Sequence, residues 1–171
     1  MALPARADEP RFGDRGVLAF GGDLGVGGRQ GLDQGYATQV DLELDPALDV
    51  FVARRLSLGV GSTLSTSFAR SGPGSSLVSV SPRLGYALPL GPRFALWPRA
   101  SADFALARDT EQENHRILST TLLVPVEALL MPHFVVGVGP AVTQQLLHRT
   151  DAGTAPLATA VQLLVELAGW L

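Results

Sequence analysis

The chain has 171 residues, the length of one domain, and it contains no cysteine, which excludes a disulfide framework and a thiolate metal site. Charged residues make up 17% of the chain, below the roughly one quarter that is usual in soluble domains, yet no apolar run reaches the about 18 residues that a transmembrane helix needs. The net charge of -3 gives no reason to expect a nucleic-acid partner.

The chain begins with a polar stretch before the first regular pattern. Ala5-Arg6-Ala7 precedes an acidic pair and fits the small-x-small end of a cleaved export signal. A disordered tail explains the same residues equally well. On either interpretation, we predict that residues 1–14 form an N-terminal tail.

Beyond the tail, apolar residues alternate with small, polar or charged ones. The alternation is clearest from Leu77 to Leu106, where every even-numbered residue is apolar on both sides of a turn at Gly91-Pro92-Arg93. Side chains of a β-strand point to opposite faces with a period of two. We therefore predict eight strands: Val17 to Gly28, Tyr36 to Phe51, Leu56 to Ala69, Leu77 to Leu90, Phe94 to Leu106, Ile117 to Leu130, Phe134 to Leu147 and Leu157 to Leu171.

The connections alternate between about three residues and about six to nine. The short ones are Ala53 to Arg55, Gly91 to Arg93 and Met131 to His133, as an up-and-down barrel with short periplasmic turns and longer external loops requires. Closure also removes the exposed sheet edges. We predict an all-β, eight-stranded antiparallel up-and-down transmembrane β-barrel over residues 15–171. Some of the prolines within strands are expected at bulges or at the periplasmic rim.

Several motifs within this region belong together. They are Ser79-Val80-Ser81-Pro82-Arg83, Leu88-Pro89-Leu90-Gly91, Phe94-Ala95-Leu96-Trp97-Pro98-Arg99 and the closing Gly169-Trp170-Leu171. With them, the segment from Arg15 to Leu171 resembles the small eight-stranded outer-membrane β-barrel family of Gram-negative bacteria. The resemblance implies a monomer in the bacterial outer membrane, surrounded by its lipid. It also implies assembly by the barrel-assembly machinery, which reads a terminal aromatic residue; here Trp170 is followed by Leu171.

The inward-facing residues of the strands predict two layers inside the barrel. The first is an apolar plug at the periplasmic end, formed by Phe51, Trp97 and Trp170 together with Leu129 and Val135. The second, just above it, is an interior charge layer of Asp49, Arg83, Arg99, Asp103, Glu127 and Glu166. An eight-stranded lumen is filled by side chains, and buried charges need partners, so we interpret this layer as internal salt bridges.

The predicted function is a structural or surface-interaction barrel with a filled interior, no cofactor and no identified protein partner. Further inward acids, Asp23, Asp41, Glu43 and Asp45, support the alternative of a narrow cation-leaning channel.

Three other functions carry less weight. A soluble lipocalin-like binding barrel would place its apolar residues inside. A membrane lipid hydrolase would rest only on Ser119 near His115. The loop acids Asp109, Glu111 and Glu113 are more simply a solvated loop than a metal site. We therefore predict no catalytic residues and no metal ligands.

Overall fold

The computed structural model describes residues 11–30, 38–69, 74–109 and 113–171, without the side chains of 23–30, 38–41 and 69. The predicted export-signal remnant Ala5-Arg6-Ala7, the loop acid Glu111 and the side chains of Asp23 and Asp41 lie outside the described residues. Within the described ranges, there is no helix that is long and apolar enough to cross a membrane.

The described chain consists of strands joined by turns and loops. The strands are β1 (Leu18–Gln30), β2 (Thr38–Ala53), β3 (Leu56–Gly61), β4 (Leu64–Ala69), β5 (Ser76–Tyr86), β6 (Leu88–Pro89), β7 (Phe94–Leu96), β8 (Arg99–Arg108), β9 (Asn114–Leu123), β10 (Val126–Met131), β11 (Phe134–Thr150), β12 (Gly153–Thr154) and β13 (Thr159–Trp170).

These strands form one closed antiparallel ring. The pairs β3 with β4, β5 with β6, β7 with β8 and β9 with β10 each continue a single pass of the chain, so the ring has eight passes. The last strand, β13, pairs with β11 on one side and with β1 on the other. Leu18 and Leu171 exchange backbone hydrogen bonds of 3.0 and 2.9 Å at this closure. The predicted eight-stranded up-and-down barrel is confirmed.

The short connections all lie at one end of the barrel, together with the start of β1 and the end of β13. We call this the turn end and the opposite end the loop end. The turn residues Arg55 and His133 have positive φ angles of 71° and 65°, which allow the chain to reverse within two residues. Register shifts next to these turns, between Phe51 and Ala53 and between Leu129 and Met131, mark β-bulges.

Apolar side chains cover the outside of the ring. Leu48, Leu58, Val80, Phe104 and Leu122 are each between 44% and 52% exposed although they lie in the middle of strands. The residues that alternate with such outward apolar ones point inward. Of these, Asp49, Ser57 and Glu127 are almost completely buried. An apolar outside and a polar inside is the reverse of a soluble barrel and the pattern of a transmembrane one.

Prolines interrupt the ladder at several points without shifting its register. Pro98 separates β7 from β8, and Pro125 separates β9 from β10, although both passes keep the same register across the break. Pro46 lies opposite the break between β3 and β4, where its carbonyl accepts a hydrogen bond from Ser62 N. Since proline has no N–H to donate, the ladder has a local gap at these positions.

Candidate functional site

The turn end of the interior is filled by aromatic rings. Phe51 and Trp97 stack with centroids 5.7 Å apart, and the Phe12 ring meets Phe51, Trp97 and Trp170 edge-on at 5.3, 5.0 and 5.5 Å. Leu129 and Val135 pack against the same group. We call Phe12, Phe51, Trp97 and Trp170 the aromatic plug. The structure brings together the three aromatic residues proposed from the sequence and adds Phe12.

Phe12 belongs to the segment that the sequence suggested was a tail. The segment is fastened across the turn end by backbone hydrogen bonds from Arg55 N to Gly13 O at 2.6 Å and from Gly16 N to Phe51 O at 2.8 Å. Gly13 and Gly16 both have φ near +90°, which a glycine adopts without strain. A single aromatic residue followed by two glycines in a polar stretch was the signal for this inward fold, and it was missed.

Arg99 lies directly above the plug and is almost completely buried. Its guanidinium carbon is 4.2 Å from the centre of the Trp97 ring, a cation–π distance. Two nitrogens of Arg99 contact the two carboxylate oxygens of Glu166, one of them at 2.6 Å. Glu127 Oε1 lies 3.9 Å from the same guanidinium. Planar bidentate pairing with a carboxylate is a strong interaction, and it stabilises an arginine that is buried away from water.

A second ion pair joins Arg83 to Asp49 beside this group. The two residues lie on opposite sides of Gly59, which pairs with Asp49 on β2 and with Arg83 on β5. A methyl group on Gly59 would come within 2.6 Å of the Asp49 carboxylate carbon. The glycine therefore leaves the space in which the ion pair crosses the strand.

The same arrangement occurs on the other side of the barrel. Gly137 pairs with Glu127 on β10 and with Glu166 on β13, and a methyl group there would lie 2.6 Å from Glu127 Oε1. Glycines that face the charged residues are thus part of this layer, and the sequence interpretation did not include them.

Asp103 does not join the arginines. Its two carboxylate oxygens accept hydrogen bonds from Ser101 Oγ at 2.8 Å and Thr121 Oγ1 at 2.7 Å, and Thr121 also contacts Thr143 Oγ1 at 2.9 Å. Asp103 is four residues from Arg99 along β8, which corresponds to about 13 Å toward the loop end. Distance along the strand therefore separates it from the layer in which we had placed it.

Two recesses enter the barrel from opposite ends. A cavity of about 300 Å³ opens from the loop end and is lined by hydroxyl and charged groups, with Arg83, Arg99 and Glu166 among them. A cleft of about 970 Å³ at the turn end is lined by Phe12, Trp170 and Glu127 together with turn arginines. The plug and the ion pairs lie between them.

His115 and Ser119 do not contact each other as a catalytic pair would. The two ring nitrogens of His115 contact His148 Nε2 at 2.9 Å and Asp109 Oδ2 at 3.1 Å. Ser119 is buried four residues further along β9, on the same inward face. Both nitrogens of the histidine are therefore directed away from the serine that would need activation.

Comparisons with known proteins were made at the level of sequence and of structure. No protein-family model and no curated protein sequence matches the chain. Among solved structures, the chain is similar to Neisserial surface protein A, with 13% identity over 90% of this chain and 94% of that one and a TM-score of 0.49. It is also similar to a major outer membrane protein from Thermus thermophilus, with 15% identity over 90% of this chain and 99% of that one and a TM-score of 0.40. The chain's own antiparallel ring of eight passes, apolar outside and polar inside, is the fold of a small outer-membrane β-barrel.

Proposed function

We propose that the chain is a monomeric barrel of a bacterial outer membrane, closed to solutes, with a structural or surface-interaction role. The observation that carries the proposal is the outward apolar face. Its leucine, valine and phenylalanine side chains occupy alternate positions of strands throughout the ring. In water this surface would far exceed the few hundred Å² of contiguous apolar area that soluble monomers tolerate, whereas lipid covers it at no cost.

Closure of the interior is supported by the packing at the turn end. Phe51 and Trp97 are 0% and 1% exposed, and the Arg99 to Glu166 pair lies directly above them. An ion that crossed this level would have to displace stacked rings and break a buried ion pair, which costs about 3–5 kcal/mol when one partner is lost. The short turns face the periplasm on this proposal, because outer-membrane barrels place their longer loops outside.

Gel mobility and solubility test whether the protein is a membrane-embedded barrel. The protein refolded in detergent should migrate faster on a gel without boiling than after boiling, because a closed barrel resists the denaturing detergent. It should also precipitate when detergent is removed in the absence of lipid. A monodisperse protein in detergent-free buffer would contradict the proposal and favour a soluble binding barrel.

A second candidate, a cation-leaning channel, rests on the charges of the loop-end cavity. Its described lining includes four carboxylate residues, Glu43, Asp45, Asp103 and Glu166, against the two arginines Arg83 and Arg99. Such a lining attracts cations, although the plug lies beneath it. We expect no unitary current from the refolded protein in a planar bilayer. Cation current that disappears in the Glu127→Gln/Asp103→Asn variant would instead support the channel.

A further inference from the structure

Four side chains meet at the loop end of the barrel: Asp109, Glu113, His115 and His148. We call them the loop-end cluster. One donor atom from each of Asp109, Glu113 and His115 lies within 4.8 Å of the others. The backbone N–H of Glu113 also donates to Asp109 Oδ1 at 2.9 Å, which holds both ends of the loop together.

Two strands bring the histidines to the same face. His148 on β11 pairs with Ile117 on β9, and Ile117 lines the interior cavity. His115 lies two residues before Ile117 on β9, and therefore on the same face, where it pairs with Ala107 on β8. Directly paired residues share a face of the sheet. A β-bulge between Gln145 and Leu147 turns His148 inward, since strict alternation from Val142 would have placed it on the lipid side. Bulges commonly aim a side chain at a functional position.

The contacts of the two histidines form a line with an acceptor at each end. Asp109 Oδ2 lies 3.1 Å from His115 Nε2, His115 Nδ1 lies 2.9 Å from His148 Nε2, and His148 Nδ1 lies 3.3 Å from the Pro156 carbonyl oxygen. Three contacts need three N–H groups, but two neutral imidazoles carry only two. A cation bound at the Asp109 end of this line would satisfy all three contacts.

A metal ion bound by His115 Nε2 removes this deficit. His115 Nδ1–H then donates to His148 Nε2, and His148 Nδ1–H donates to Pro156 O, with both rings neutral. This is how metal-bound histidines are usually oriented, by donating their second N–H to an acceptor behind them. Donors of one tetrahedral zinc ion lie about 2.0–2.2 Å from the metal and about 3.4 Å from one another, a separation that side-chain rotations would reach here.

We propose that the loop-end cluster binds a divalent transition-metal ion of the Zn²⁺ class. Asp109, Glu113 and His115 are the ligands, and His148 is a positioning residue that acts through His115. One imidazole and two carboxylates favour Zn²⁺ over Mg²⁺ and Ca²⁺, which take oxygen ligands alone. Three protein ligands leave a fourth position open at the mouth of the barrel. The site does not depend on whether the barrel conducts ions.

Calorimetric titration of the refolded full chain with ZnCl₂ tests the proposal. We expect one saturable site that an excess of MgCl₂ or CaCl₂ leaves intact. His115→Ala should weaken binding by at least about 100-fold, and His148→Ala by about 10- to 100-fold. His148→Gln should restore part of this loss, because its amide oxygen can still accept from His115 Nδ1–H.

The third histidine supplies a matched control. His133 lies in a turn at the opposite end, and His133→Asn, which tolerates the positive φ angle, should bind Zn²⁺ as the wild type does. Every variant should keep the heat-modifiable gel mobility of the folded barrel. Absence of saturable binding by the wild type, or equal affinity in His115→Ala and the wild type, would overturn the proposal.

Discussion

The two ends of the barrel interior are built on opposite principles. At the turn end, four aromatic rings and the Arg99 to Glu166 pair fill the lumen and exclude water. At the loop end, serine and threonine hydroxyls, Asp103 and glutamine side chains surround an open cavity of about 300 Å³. The packed turn end therefore stabilises the fold, whereas the open loop end has room for a binding site.

The largest expected effect is at the centre of the turn-end layer. Arg99→Ala leaves Glu166 and Glu127 buried without the guanidinium between them, so we expect a loss of about 3–5 kcal/mol in the free energy of unfolding. Arg54→Ala removes an exposed turn arginine and should change the free energy of unfolding by less than about 0.5 kcal/mol. Urea unfolding followed by gel mobility measures both. Equal midpoints for the two variants would contradict a stabilising ion-pair layer.

A smaller effect is expected from the glycine beneath the second ion pair. Gly59→Ala places a methyl group against the Asp49 carboxylate and should cost about 1–3 kcal/mol through overpacking. Gly61, two residues along the same strand and on the same face, has no atom closer than 3.8 Å to an added methyl group. Gly61→Ala should therefore be close to neutral in the same unfolding assay. A larger loss of stability in Gly61→Ala than in Gly59→Ala would mean that the ion pair does not occupy the space above Gly59.

The smallest effect is expected at the loop end. Asp103→Asn keeps one oxygen that can accept from Ser101 or Thr121 and retains the shape of the side chain, so we expect a change of about 1 kcal/mol or less. Thermal unfolding of the refolded protein checks this. A loss as large as that of Arg99→Ala would show that Asp103 belongs to the stabilising layer after all, and the contrast between the two ends would fail.

The sequence predicts most of the fold because lipid-facing and lumen-facing residues alternate along most of each strand. The even-numbered apolar residues between Leu77 and Leu106 alone define two passes, and the spacing of the short turns defines the ring. The bulge before His148 could not be predicted, because one added residue in a strand leaves no compositional trace and reverses the direction of every side chain beyond it.

Prediction of the interior was less complete than that of the ring. The inward charged residues are evident from parity, yet their pairing depends on distance along and across strands. Asp103 therefore appeared to belong with Arg99, although hydroxyl groups bind it instead. Phe12 was missed because its polar segment shows no alternating pattern, and its only sign of an inward fold is one aromatic residue followed by Gly13 and Gly16.

The central claim is that the apolar face of each strand meets lipid while the alternate face meets the lumen. The chain contains no cysteine, so single-cysteine variants can be labelled without background. A fluorophore on Leu122→Cys should be strongly quenched by brominated lipids after reconstitution, and one on the adjacent Thr121→Cys should not. Equal quenching at both positions, or stronger quenching at position 121, would contradict a transmembrane barrel with this register.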